Sequence, residues 1–144
     1  MTQKDKELLL KDLCARLNTN LVCSIYRTDD YGVGYRDEIL SGYCKGDIWY
    51  EFYFGDDCGI GIDDVSKIKP YLFPLSSMTE EQKREYYFLK HEVPVCHYEY
   101  GDVVEEFELY DSPESFEYLI ENHFDYRGLI PKGIALDATG LNIY

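Results

Sequence analysis

The stretch HFDYRGLIPKGIALD, residues 123–137, places a histidine, two acids and an arginine close to two glycines and a proline. Such a mixture can supply acid–base chemistry, because histidine titrates near neutral pH and a carboxylate can orient it. The same residue types also end helices. Gly128 suits a left-handed helix stop, and Pro131 prevents a helix from continuing. We therefore predict that this stretch ends the last helix and closes the core.

Arg127 is the first basic residue after a long acidic window. Its guanidinium is expected to form a forked ion pair with a nearby acid, Asp125 or Glu121. The apolar residues that follow are predicted to pack the tail against a sheet: Leu129, Ile130, Ile134 and Leu136. A structural role is therefore expected for the stretch.

A cysteine hydrolase is the second chemical candidate. Cys96 and His97 are adjacent, and His91 or His123 together with an acid could complete a nucleophilic triad. Neighbours on a strand point to opposite faces, however, and neither residue lies in the glycine-rich turn that exposes a nucleophile. His91 and His123 each follow a predicted helix, where they are expected to interact with its C-terminal dipole. We expect no catalytic residues, with a small hydrolase that uses Cys/His residues or paired acids as the alternative.

No metal and no cofactor are predicted. The cysteines are odd in number and scattered, without a C-x-x-C pair, so neither a disulfide framework nor a structural zinc site is expected. The segment GDDCGIGIDDV, residues 55–65, lacks the ligand spacing of a calcium loop. It also lacks the remainder of a phosphate-binding motif after Gly59 and Gly61.

Charge is the strongest compositional signal, since 28 acids stand against 14 bases for a formal net charge of −14. Residues 1–45 are neutral, whereas residues 46–66 hold six acids and residues 91–126 hold eleven, both without a basic residue. Such a surface repels nucleic acids and anionic membranes. It predicts a basic protein partner, with plain solubility as the alternative.

The acidic region predicts a partner-binding surface on a hairpin and the helix that follows it. Phe107 and Leu109 are expected to alternate into the core, which leaves Glu106 and Glu108 on the outer face. A cluster so free of counter-charge lowers stability through self-repulsion, so an offsetting use is expected. The predicted partner-binding residues are Asp102, Glu105, Glu106, Glu108, Tyr110, Glu114 and Glu117.

Periodicity and capping signals position these residues. Three helices are predicted from their N-terminal caps: Thr2 with Asp5, Thr79 with Gln82, and Ser112 with Pro113 at the first position. Strands are predicted near residues 21–27, 36–44 and 47–54, and a hairpin over 93–110. The order predicts an α+β fold, with an antiparallel sheet of about five strands packed with three helices.

The length of 144 residues fits a single α+β domain over residues 1–144. No apolar run approaches the ~20 residues that span a bilayer, and three leucines near the N-terminus are too few for a secretory signal. A cytoplasmic location without a membrane partner is therefore expected. The sequence leaves the oligomeric state open.

Three blocks of the chain resemble a known group of proteins. KELLLKDLCARL, IKPYLFPLSSMTEEQ and HFDYRGLIPKGIALD are similar to recurrent blocks of small uncharacterised proteins from gut Bacteroidales bacteria, their prophages and phages. The resemblance implies a phage or mobile-element gene and a shared scaffold with a variable sheet. It assigns no functional residue.

These observations lead to one expectation about function. The chain is expected to be a small acidic binding or regulatory protein without catalysis. Its most concrete form is a phage- or mobile-element-encoded inhibitor of a host nucleic-acid-binding defence protein, of the anti-CRISPR or anti-defence type. The alternatives are a small hydrolase and a structural or housekeeping phage protein whose acidity serves solubility.

Overall fold

A computed structural model of the protein describes residues 1–29, 32–45, 50–55, 60–62, 64–99 and 102–144. Within these ranges the chain forms two compact units. The first unit comprises Met1–Ser77 and His123–Tyr144, and the second comprises Met78–Asn122. No helix in the described ranges has the length and apolar character needed to cross a membrane. The expectation of one domain over residues 1–144 stays a prediction.

The α+β class predicted from the sequence is confirmed. In chain order the elements are α1 (Gln3–Ala15), β1 (Val22–Asp29), β2 (Gly32–Lys45), β3 (Tyr50–Phe54), β4 (Ile60–Ile62), β5 (Ile68–Leu72), α2 (Glu80–Phe88), β6 (His91–Glu99), β7 (Asp102–Tyr110), α3 (Pro113–Glu121) and β8 (Leu136–Asp137). Short 3-10 helices occupy Val65–Lys67 and Leu75–Ser77.

The first unit is built on a six-stranded sheet in the order β4-β3-β2-β1-β5-β8. All neighbours pair antiparallel except β5 and β8, which are parallel. Strand β5 contains a proline in its interior. Its Pro70 pairs with Cys23 of β1, while β8 reaches only Tyr71 and Leu72. The proline therefore interrupts no hydrogen bond towards β8.

The core of the first unit lies on one face of this sheet. Strands β1, β2, β3 and β5 and helix α1 supply its largest fully buried apolar side chains: Leu9, Leu13, Leu21, Ile25, Leu40, Phe52, Phe54, Ile68 and Leu72. Phe52 and Phe54 alternate with Glu51 and Tyr53 along β3, the pattern of a strand with one buried face, and both lie in this core. Burial of each such side chain contributes about 1.5–3 kcal/mol, so this layer is the main source of stability.

The three predicted N-terminal caps are all present. Thr2 and Asp5 form a reciprocal capping box at α1, and Thr79 and Gln82 form one at α2. At α3 the cap is Ser112, with Pro113 following, and the reciprocal partner is Ser115. These side chains accept from orphan backbone N–H groups, which fixes where each helix begins.

The second unit joins two helices to a β-hairpin. The Tyr86 hydroxyl donates to Asp111 at 2.6 Å, and the Ser112 hydroxyl donates to the Leu89 carbonyl at 2.5 Å. The rings of Tyr86 and Tyr118 stack with their centroids 6.3 Å apart. Strands β6 and β7 pair antiparallel in a separate two-stranded sheet. The hairpin predicted from the sequence is therefore present, outside the six-stranded sheet.

The end of α3 differs from the prediction. The helix stops at Glu121, and His123, with φ +57°, is the left-handed residue that follows. Gly128 does adopt the predicted left-handed conformation, at φ +68°, but in a later turn. Histidine tolerates this region better than most side chains, which is why the first turn needs no glycine.

Gly128→Val is expected to lower the free energy of unfolding by about 1–2 kcal/mol, because a left-handed φ strains a β-branched residue. Space is not the cause, since a Cβ at this position lies 3.9 Å from its nearest neighbour, Pro131 Cγ. Urea denaturation measures the loss. Gly128→Asn, which tolerates the same φ, should lose much less, and equal stability of the valine variant and the wild type would contradict the strain.

Candidate functional site

The stretch HFDYRG belongs to a buried charged cluster and not to an open cleft. Asp12 and Arg16 of α1 are both 0 % exposed, and Arg16 Nε donates to Asp12 Oδ2 at 2.8 Å. Arg16 also donates to the Phe124 carbonyl oxygen at 2.7 Å. The guanidinium thereby joins the first helix to the C-terminal segment, across more than a hundred residues of sequence.

Arg127 joins the same cluster. Its Nε lies 3.3 Å from Asp12 Oδ1, in an ion pair whose angle does not suit a hydrogen bond. The prediction that it pairs with Asp125 or Glu121 is therefore wrong. Asp125 is occupied elsewhere, because its carboxylate accepts the backbone N–H groups of Leu129 and Ile130, both at 2.8 Å.

Tyr126 lies close to both guanidinium groups. Arg16 Cζ is 5.4 Å and Arg127 Cζ is 4.7 Å from the centroid of its ring. Cation–π contacts of this kind stabilise a cation that is partly removed from water. An acid, a carbonyl and an aromatic ring thus compensate the buried charges of the cluster. Such an arrangement is expected of a cluster that stabilises the fold.

His123 is unsuited to acid–base chemistry. The residue is 7 % exposed, and its ring stacks on that of Tyr144 with centroids 4.0 Å apart. Burial, and then the charge of Arg16, lower the pKa of His123 to about 4. The ring is therefore neutral near neutral pH, and the predicted interaction of a charged imidazole with the helix dipole is not made.

Two of the described cysteines, Cys14 and Cys23, are also poorly suited to catalysis. Cys23 is fully buried, and burial raises the pKa of its thiol far above the ordinary value. Burial raises the pKa of Cys14 as well. A thiol with a raised pKa is protonated near neutral pH and is a weak nucleophile. The side chains of Cys96 and His97 lie outside those that the structure describes.

Within the described ranges, no group of three or more His, Cys, Asp or Glu side chains could hold a metal ion. Part of the glycine-rich segment 55–65 lies outside these ranges, so the expectation that it binds neither metal nor nucleotide stays a prediction. Where the segment is described, Gly55 has φ +82° and Asp64 caps the 3-10 helix that follows.

A groove of about 710 Å³ lies in the first unit, where the turn after α1 meets the β-bulge of β2. Its lining includes Leu17, Asn18, Asn20, Asp37, Glu38 and Ile39. The Glu38 carboxylate is paired with Arg27 at 2.6 Å, and Asp37 accepts from the Tyr71 hydroxyl at 3.1 Å. These two carboxylates are thus already hydrogen-bonded, and the described lining residues include no cysteine or histidine.

The predicted acidic surface lies in the second unit. Glu114 and Glu117 are exposed on α3, as expected of residues that meet a partner. The register of the hairpin places Glu106 opposite Val95 and Glu108 opposite Val93. The other predicted partner-binding residues have side chains outside those that the structure describes: Asp102, Glu105, Glu106, Glu108 and Tyr110.

The charge of the second unit is concentrated. Residues 78–122 hold 13 acids against three bases, a formal charge of −10 out of the −14 of the chain. Lys83 pairs with Glu80 at 2.6 Å, and Lys90 pairs with Asp111 at 3.2 Å. Two of the three bases are therefore already matched to acids, and the unit presents an excess of negative charge.

Exposed aromatic side chains accompany these acids, and the sequence reasoning missed them. Phe88 at the end of α2 is 89 % exposed, Tyr87 is 54 % exposed, and Phe116 of α3 is 41 % exposed. Helix α3 buries Ser115, Tyr118 and Leu119, and Phe116 lies away from that buried face.

A second missed feature is an exposed apolar row along β2. Val33, Tyr35 and Ile39 are 66 %, 63 % and 47 % exposed. The strand was predicted to begin near Arg36, so Val33 and Tyr35 were not assigned to either face of the sheet. Their alternation with Gly34 and Arg36 was the signal that could have extended the strand.

Comparison with known proteins places the chain in no family: no family model, curated protein or solved structure matches it.

Proposed function

We propose that this protein is a non-catalytic binding protein whose acidic, aromatic second unit engages a basic protein partner. One observation carries the proposal: the unit combines a formal charge of −10 with exposed aromatic side chains on both of its helices. Protein interfaces are enriched in aromatic residues at their centre and are polar at the rim. Phe88 and Phe116 supply anchors, and Glu114 and Glu117 supply a rim.

Electrostatics select the class of partner. An acidic surface accelerates association with a basic protein and opposes association with nucleic acid. The most basic surfaces of soluble proteins are those that bind nucleic acid. The proposed partner is therefore a nucleic-acid-binding protein, and occupation of its groove would inhibit it. The resemblance implies a phage or mobile-element gene, and an anti-CRISPR or other anti-defence inhibitor is the most concrete form of the proposed function in that context.

The uneven distribution of charge argues against solubility alone. The first unit, residues 1–77 and 123–144, holds 15 acids against 11 bases, a formal charge of −4, although it contains more residues than the second unit. A charge that served solubility would be expected to be mixed over the whole surface. Concentration in one unit costs stability through self-repulsion, which binding to a basic partner offsets.

The capture experiment uses the tagged full chain and the lysate of a gut Bacteroidales bacterium. Proteins that remain bound at about 0.15 M salt are identified, and the captured complex is then challenged with heparin and with duplex DNA. The expected result is a basic protein that is released by rising salt and by either polyanion. A captured protein that resists both, or no captured protein, would contradict the proposal.

Glu117→Lys is expected to reduce capture strongly, whereas Glu7→Lys leaves it unchanged. Both residues are exposed, both are the fifth residue of a helix, and both substitutions change the charge by the same amount. Glu106→Lys combined with Glu108→Lys tests the hairpin in the same assay. Capture is quantified at matched expression, and equal capture by the Glu7 and Glu117 variants would remove the acidic unit from the interface.

Asp5 is not a suitable control residue, although it is acidic and distant in sequence. Its carboxylate accepts from the backbone N–H and from the hydroxyl of Thr2, at 3.1 and 2.7 Å. Its reversal would break the capping box of α1 and weaken the start of that helix.

A further inference from the structure

The outward face of the central strands of the first unit can be read from the strand register. Val33 pairs with Thr28, Tyr35 with Tyr26, Asp37 with Ser24, and Ile39 with Val22. Ser24 pairs in turn with Lys69 of β5. Directly paired residues point to the same face. These side chains therefore share one face, opposite to the face that carries Ile25, Leu40 and Ile68 of the core.

This outward face, which we call the open face, carries exposed apolar side chains along β2. Val33 and Tyr35 are each more than 60 % exposed, and Tyr35 makes an edge contact with Tyr26, with ring centroids 5.2 Å apart. Ile39 continues the row towards the groove, of which it is a lining residue. Exposed apolar side chains in one row on a sheet are typical of an interaction surface.

The charges on the open face are balanced. Asp37 on β2 and Lys69 on β5 flank Ser24 of β1 in a single row. Asp37 also accepts a hydrogen bond from the Tyr71 hydroxyl at 3.1 Å, which leaves its second carboxylate oxygen for a further partner. Because strands are spaced about 4.8 Å apart, the two backbone positions are about 10 Å from each other. A strongly basic partner would meet Lys69 here, and a nucleic acid would meet Asp37. The open face therefore differs in kind from the acidic second unit.

The row formed by Asp37, Ser24 and Lys69 is complementary in charge to the same row of a second copy. Consider a two-fold axis that runs parallel to β1, above Ser24 and midway between two open faces. This axis places β2 of each copy over β5 of the other. It places Asp37 of one copy over Lys69 of the other, and the converse pair follows by symmetry. The same operation places Tyr26 over Tyr26. Two sheets packed face to face in this way are about 10 Å apart.

We propose that two copies of this chain associate through the open face, with Val33, Tyr35 and Ile39 in the contact and Asp37 paired with Lys69 across it. Repulsion between the acidic units is screened at physiological salt, where the Debye length is about 8 Å. Seven residues of β2 across three strands span about 20 by 14 Å. An interface of this size belongs to the small, transient class, so its Kd is expected to be high.

Sedimentation equilibrium of the full chain, over a wide range of concentrations, tests the proposal. The wild type is expected to dimerise reversibly, and Tyr35→Ser is expected to remain a monomer. Phe88→Ser, which removes a more exposed aromatic side chain from the second unit, is the control and should dimerise as the wild type does. Circular dichroism confirms that each variant is folded.

A charge exchange makes the test specific to the proposed symmetry. Asp37→Lys alone and Lys69→Asp alone each set like charges against each other across the interface and should weaken the dimer. The chain that carries both substitutions should regain it, because the exchanged pair is complementary again. A monomeric wild type, a dimer that is indifferent to Tyr35→Ser, or a double variant weaker than either single variant would overturn the proposal.

Discussion

Asp12→Ala is expected to lower the free energy of unfolding by about 3–5 kcal/mol, the largest effect of any single substitution considered for this protein. Asp12 is fully buried and receives two guanidinium groups, those of Arg16 at 2.8 Å and Arg127 at 3.3 Å. Its removal takes away the buried carboxylate that balances the charge of the fully buried Arg16. Urea denaturation followed by circular dichroism measures the loss.

Glu7→Ala is the matched control, because Glu7 is an exposed acid on the same helix. Its effect should stay within about 0.5 kcal/mol. Asp12→Leu combined with Arg16→Met should recover part of the loss, since it replaces the buried ion pair by apolar side chains. If Asp12→Ala cost no more than Glu7→Ala, the buried cluster would not lock α1 to the C-terminal segment.

The second large effect is on the pH dependence of stability. The pKa of His123 is lowered from 6.5 to about 4 in the folded protein. Between these values the unfolded chain binds a proton that the folded chain excludes, so stability rises with pH across this window. His123 is therefore expected to remove about 3 kcal/mol of stability as the pH falls from 6.5 to 4.

His123→Asn isolates this contribution, because asparagine also tolerates the left-handed conformation that position 123 adopts. The variant loses the stacking on Tyr144 but no longer titrates. The free energy of unfolding of the wild type minus that of the variant, measured from pH 4 to pH 7, should increase with pH. Parallel curves would show that the imidazole is not shielded from protons in the folded state.

Local features of the fold were predictable from the sequence. The caps at Thr2, Thr79 and Ser112 are signals confined to four consecutive residues, and each marks the start of a helix. The alternation of Phe52 and Phe54 identified a buried face in the same way. Such signals can be read from the sequence because the interacting residues lie within one turn of a helix or within one strand.

Features that depend on distant pairing were not predictable. Arg127 was assigned to an acid near it in sequence, but its partner is Asp12, at the other end of the chain. Asp12 and Arg16 are spaced as an ordinary surface pair on a helix, and nothing in their spacing reveals that both are buried. Strand β8 is likewise only two residues long and exists because β5 lies beside it.

The two candidate surfaces also differ in whether the sequence could predict them. Composition identified the acidic second unit, because charge is summed along the sequence and needs no knowledge of contacts. The open face was missed, because Val33 and Tyr35 gain a common face only once β2 is known to begin at Gly32 and to pair with β1. Exposed apolar residues can be recognised as a row only once the buried face of the strand is known.

The rate of association with the captured basic protein, measured for the wild type, Glu7→Lys and Glu117→Lys over a range of salt concentrations, tests the central claim most directly. Rim charges act mainly on the association rate, and their effect falls as salt screens them. We expect slower association for Glu117→Lys than for Glu7→Lys at low salt, and convergence of the two rates at high salt. Equal rates for the three proteins at every salt concentration would contradict the claim that the acidic second unit is the binding surface.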